Sequence, residues 1–307
     1  MSWNPNFSTD PDATDPESLE TLIVSRARDI GGFEVRRALP FAKRRMVGPF
    51  VFFDQMGPAE LLTDQGIDVR PHPHIGLGTV TYLYQGAFHH RDSTGADQVI
   101  KPGEVNWMVA GKAVSHSERS IQNGPRSLLG VQTWVALPED KEDKFASFEH
   151  HGQASLPEFE DAGVAARLIM GRAFGAQAPA GVYSDMFYLD VRLAPHAAMP
   201  LPDDHEDRGI YVLQGSIEVA GETYAEGQMM VFRPGDSVSF RSGPLGATVL
   251  LLGGETMNGP RYIWWNFVSS SKEKIEEAKR HWREERWGEG IFDLPVGDRN
   301  EWIPLPE

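Results

Sequence analysis

Short apolar or alternating runs, each closed by glycine or proline, recur along this chain from Leu22 onward; TLIVSRA, FVFFDQM, TVTYLYQG and VNWMVAGK are examples. Runs of this length and period belong to strands, and 31 glycines and 22 prolines punctuate them. The pattern confines the chain to a mostly-β fold, a sandwich or small barrels of many short strands. Long helical periodicity occurs in one place, Ser270 to Arg286. There Ser270 or Ser271 can cap, Glu273 sits in the first turn, and Ile275, Ala278 and Trp282 share a face.

The strands come in two similar sets. TVTYLYQG (Thr79–Gly86) is followed by Gly103 and Gly111, and RGIYVLQG (Arg208–Gly215) by Gly227 and Gly235. The two glycine intervals are equal, and each ends in Ala-Gly or Pro-Gly, a turn between strands. Four aligned landmarks favour duplication of one β-unit over chance.

Inside the first copy stand His72-Pro73-His74 and, further on, His116-Ser117-Glu118. Residues two apart on a strand face the same side, so each motif can aim two side chains at one point. Three imidazoles and a carboxylate suit iron, manganese, nickel, copper or zinc. Glycine-anchored alignment sets Leu201, Asp203, Phe240 and Ser242 against these four residues, which predicts a metal site in the first copy and none in the second.

The 307-residue chain is 40% hydrophobic and 24% charged, enough for two domains with sizeable cores. A formal net charge of −15 argues against direct nucleic-acid binding and against an anionic membrane surface. The absence of cysteine excludes thiolate ligands, disulfides and a cysteine nucleophile. No apolar leader or membrane-length stretch is present, so a cytoplasmic location is expected, with a monomer as the default state. The Asn6-Phe7-Ser8 sequon then carries no meaning. Residues 1–20, rich in Asp, Pro, Ser and Thr, read as a flexible arm.

The stretch Arg70–Ser120, RPHPHIGLGTVTYLYQG…HRDSTG…PGEVNWMVAGKAVSHSE, resembles the N-terminal cupin of the pirin family. Gly48–Pro58 and Gly130–Pro138 resemble the flanking segments, and the likeness spans residues 22–270. It implies a bicupin: two tandem cupin barrels (double-stranded β-helix, or jelly roll) with a C-terminal helix, the N-terminal barrel holding metal and the C-terminal one vestigial. The expected segments are the 1–20 arm, a metal-binding cupin over 21–140, a linker with inter-barrel strands over 141–180, a cupin lacking ligands over 181–268, and a helix and tail over 269–307. Gly66, His72, His74 and Gly86 fit the general cupin pattern, but its glutamate position holds Gly78 or Thr79. As in pirins, Glu118 compensates. The resemblance therefore implies His72, His74, His116 and Glu118 as metal ligands. The expected cofactor is one divalent transition metal, iron(II) first, with manganese, nickel, copper, cobalt or zinc compatible. Many pirins continue HPH with Arg-Gly-x-Glu, whereas this chain has Ile75-Gly76-Leu77-Gly78, so a polar lining expected near the pocket is missing.

Other residues read more plainly. His90 reads first as a turn-exposed histidine, Asp92 and Ser93 as turn residues, and Trp107, Met108 and Trp134 as barrel interior. His150-His151 reads as solvated linker. Glu118 is either a fixed ligand or a carboxylate that leaves the ion to act as the catalytic base. Two functions follow from the resemblance. One is a quercetin 2,3-dioxygenase-type oxygenase, taking a small aromatic enediol or flavonol and dioxygen. The other is a non-enzymatic metal- or redox-responsive regulator acting on a protein partner. A sugar-binding or isomerase cupin is a weaker third.

Overall fold

The computed structural model describes residues 9–30, 34–60, 68–121, 124–125 and 127–307, so the sequon and Gly66 lie outside the described residues. The fold is mostly β, as the strand pattern predicts, with one α-helix among the described residues. The chain forms two compact units and enters each more than once. The first comprises residues 1–27, 36–52 and 154–256; the second comprises 28–35, 53–153 and 257–307.

The first unit is built on an antiparallel sheet. Its order is Leu19–Val24, Gln228–Phe232, Asp207–Val219, Ser239–Gly254, Met186–Leu193, Val164–Ala173 and Glu158–Asp161. One apolar core fills it, with Leu189, Met199, Leu201, Ile210, Ile217, Phe232, Phe240 and Leu251 among its members. Within the expected arm, Pro11–Ala13 and Pro16–Ser18 form short 3-10 turns, and Thr14 exchanges hydrogen bonds with the Ser239 backbone.

The second unit carries the HPH and HSE motifs. A four-stranded sheet runs Asp68–His74, Val114–Ser120, Phe88–Asp92, Asp97–Ile100. A second sheet places Ser147–His151, Val105–Val109, Leu77–Gln85, Ser127–Ala136 and Phe50–Glu60 side by side. The helix Lys272–Glu284 belongs to this unit. Ser271 caps it, its Oγ accepting from the Lys274 amide at 3.3 Å, which satisfies one of the donors a helix start leaves open. Ile275, Ala278 and Trp282 are its buried face. They pack with Ile75, Phe267, Phe292 and Leu294. The departure from the family pattern at position 75 is therefore a packing feature: Ile75 seats the helix.

The residues after the helix return to the HPH strand. The Ile303 amide donates to the Pro71 carbonyl at 2.8 Å, and the Ser115 hydroxyl donates to the Asp293 carbonyl. Arg119, at the end of the HSE strand, grips both carboxylate oxygens of Asp298 at 2.8 and 2.9 Å.

Between the HPH strand and its successor the chain turns at Gly76, where φ is +67° and a Cβ would lie 1.9 Å from the Val268 carbonyl oxygen. Both facts require glycine. Gly76→Ala is expected to destabilise the protein by roughly 2 kcal/mol or more, read by chemical denaturation.

Candidate metal centre

The HPH and HSE strands are antiparallel neighbours, and His116 lies directly opposite His72, with Val114 opposite His74. The strand alternation then sends His72, His74 and His116 into the unit's interior, each 6% exposed or less. One ligand nitrogen from each lies within 4.8 Å of the other two. The spacing of the motifs predicts this convergence. Glu118 follows a register shift in the HSE strand and is not in that group; it joins His116 and His90 in a second group of the same tightness.

Two of the rings have their tautomer fixed by main chain. A carbonyl can only accept, so His72 Nδ1 donates to Arg70 O at 2.9 Å and His74 Nδ1 donates to Asn266 O at 3.2 Å. Their Nε2 atoms are left as lone-pair donors, and His74 Nε2 stands 3.1 Å from His116 Nε2. Burial lowers the pKa of His72 to about 4, the Arg70 bond opposing it in part. Burial also takes His74 and His116 well below the ordinary histidine value, and neighbouring histidines add to the effect. Three neutral, inward-facing imidazoles with lone pairs this close fit a cation. The buried cluster can hold a metal ion.

Glu118 is buried, and loss of hydration raises its pKa, which the Gln132 hydrogen bond opposes. Gln132 Nε2 donates to both carboxylate oxygens, at 3.2 and 3.4 Å, and Gln132 Oε1 accepts from Thr81 Oγ1 at 3.0 Å. Thr81 and Gln132 are cross-strand partners, as are Thr79 and Trp134. Trp134 meets the His74 ring edge-on at 5.2 Å. Trp107 and Met108 are buried, as expected of interior residues.

Three readings need correction. His90 is not turn-exposed: it sits on the Phe88–Asp92 strand opposite Glu118, is 2% exposed, and lies 3.4 Å from His116 between ring Nδ1 atoms. The signal was the alternation Phe88, His90, Asp92, which faces all three inward. His150 and His151 are not solvated linker but part of an edge strand, with His150 Nδ1 2.8 Å from Asn106 Oδ1. The third correction concerns register in the second copy. Met199 pairs with Phe240, and the Leu201 amide bonds to Val238 O, so the counterparts of His72 and His74 are Met199 and Leu201. The glycine-anchored alignment slips by two because five positions separate His74 from Thr79 and seven separate Leu201 from Arg208. Met199, Leu201 and Phe240 are all core residues, so apolar packing occupies the second copy's equivalent positions.

The histidine shifts set a pH dependence for the metal-free protein. Between about pH 4 and 6.5 the unfolded chain binds protons that the folded cluster refuses, so stability falls as pH falls through that window. The drop from 6.5 to about 4 at His72 corresponds to roughly 3 kcal/mol at full effect. Glu118 opposes this, since its raised pKa favours the acid side, but it is one group against three. Thermal midpoints of metal-free protein are expected to fall from pH 7 to pH 4, and His72→Ala should flatten the slope.

The family model for pirin matches residues 32–135, and that for the pirin C-terminal cupin domain matches 188–288. A pirin-like protein of Caulobacter vibrioides is 48% identical over 294 residues, 94% of this chain and 100% of that protein. The solved structure of a quercetin 2,3-dioxygenase from Acinetobacter baumannii has a TM-score of 0.86 at 30% identity, covering 94% of this chain and 95% of that one. A second structure of that description and organism gives 0.80 at 26%, covering 88% and 98%. With both halves matched, and matched in order, the chain belongs to the pirin family of bicupins.

Proposed function

We propose that this protein is a metal-dependent dioxygenase of the quercetin 2,3-dioxygenase type, with His72, His74, His116 and Glu118 as ligands to one divalent ion, iron(II) first. The observation that carries the reading is the buried cluster of neutral imidazoles with a carboxylate beside it. The end-to-end likeness to the Acinetobacter quercetin 2,3-dioxygenase supports the substrate class, an aromatic enediol or flavonol.

Bound there, the ion would supply Lewis-acid and one-electron chemistry toward a chelating enediol and dioxygen. The chain does the rest. Burial of the three histidines keeps their rings neutral, and the carbonyls of Arg70 and Asn266 hold two of the rings in their binding tautomer. Glu118 is the group that takes the substrate hydroxyl proton. Burial raises its pKa in the metal-free protein, and the carboxylate can serve as the base where it shares or leaves the ion. Gln132, aligned by Thr81, keeps that carboxylate in one place without a charge. Trp134 packs against the His74 ring at 78° and helps to fix its plane.

The test is dioxygen uptake with quercetin by the full chain loaded with iron(II). His72→Ala and His116→Ala should lose both bound metal and turnover. Glu118→Gln should lower turnover by about 100-fold or more. Turnover by metal-free protein equal to that of loaded protein, or no uptake in the loaded state, would overturn the reading.

A further inference from the structure

We propose that Asp92 and His90 are positioning residues that set the tautomer of His116, so that all three clustered histidines present Nε2 to the ion. The inference rests on the ligand set proposed above.

The relay can be followed atom by atom. Asp92 is fully buried and closes the turn Asp92–Ala96. Its Oδ1 accepts from the Thr94 amide at 2.8 Å, the Thr94 hydroxyl at 2.6 Å and the Ala96 amide at 3.2 Å. Its other oxygen, Oδ2, is 3.1 Å from His90 Nε2. A carboxylate only accepts, so His90 must carry its proton on Nε2. In a neutral His90 ring Nδ1 is then a lone pair, 3.4 Å from His116 Nδ1, which makes His116 Nδ1 the donor and His116 Nε2 a second lone pair. Phe148 stacks on the His90 ring at 4.6 Å and 20°, fixing its plane. Backbone pairing fixes the rest: Asp92 is the cross-strand partner of His116, and the Ser93 amide bonds to Ser115 O at 2.9 Å.

His72 and His74 obtain their tautomer from carbonyls; His116 obtains the same one from another side chain. The result is that His74 Nε2 and His116 Nε2 oppose lone pairs at 3.1 Å, an arrangement that a cation relieves. His90 is thereby assigned to the outer side of the His116 ring. The alternative is that it ligates a second ion with His116 and Glu118, the other tight group of donors.

Asp92→Asn separates the roles of the two oxygens. Three donors hold the side-chain oxygen at the turn, so the new NH2 faces His90 Nε2. Every proton in the relay then reverses, and His116 Nε2–H donates to His74 Nε2. The variant should stay folded and keep the metal-free thermal midpoint, yet bind cobalt(II) about 10- to 100-fold more weakly in chelator competition. Nitrogen-15 imidazole shifts of metal-free protein should show the His116 proton on Nδ1 in the parent and on Nε2 in Asp92→Asn. Should Asp92→Asn not fold, His90→Asn, which retains an acceptor near Nδ1, should recover affinity lost in His90→Phe. An unchanged His116 tautomer with affinity within about twofold, equal loss in both His90 variants, or two cobalt ions per parent chain would overturn the proposal. The tautomer measurement requires no metal. Absent cobalt binding by the parent, or binding unaffected by His116→Ala, would count against the ligand set alone.

Discussion

The pairing of Asp68–His74 with Val114–Ser120 is the constraint on which the second unit depends. Putting His116 opposite His72 forces three imidazoles into the buried interior, and burial then decides their chemistry. A charged imidazole is costly there, so the rings stay neutral and each proton must find an acceptor. The carbonyls of Arg70 and Asn266 and the ring of His90 are the acceptors that result. The direction of each ring's lone pair is thus selected by hydrogen-bond accounting around the cluster as much as by the cluster itself.

Much of this was legible in the chain. Period two places His72 with His74, and the capping serine with Ile275, Ala278 and Trp282 locates the helix to within two residues of its observed ends. The likeness of TVTYLYQG to RGIYVLQG exposes the duplication. Other features depend on contacts that sequence does not display. His90 is adjacent to His89 and two residues from a turn, and only strand pairing with Glu118 shows it to be interior. The role of Asn266 comes from a residue 192 positions away from His74. The packing of Ile75 against the helix and Phe267 is likewise invisible in the sequence.

The two copies show what one β-scaffold can do with the same interior positions. In one, nitrogen donors gather closely enough to hold a cation. In the other, Met199, Leu201 and Phe240 fill the space with carbon, which close packing stabilises directly. The register slip between them, a turn longer by two residues, leaves the inward alternation intact because two is the period of the strand.

The strands that carry the imidazoles are finished by residues that come far later in the chain. Asn266 supplies the acceptor for His74, Asp298 secures Arg119, and Ile303 bonds to Pro71. During synthesis, the histidines therefore emerge well before the groups that orient and clasp them. A nascent chain carrying only the first copy holds the donor atoms without the fixed tautomer of His74, so the arrangement of the cluster's lone pairs is completed late, together with the fold.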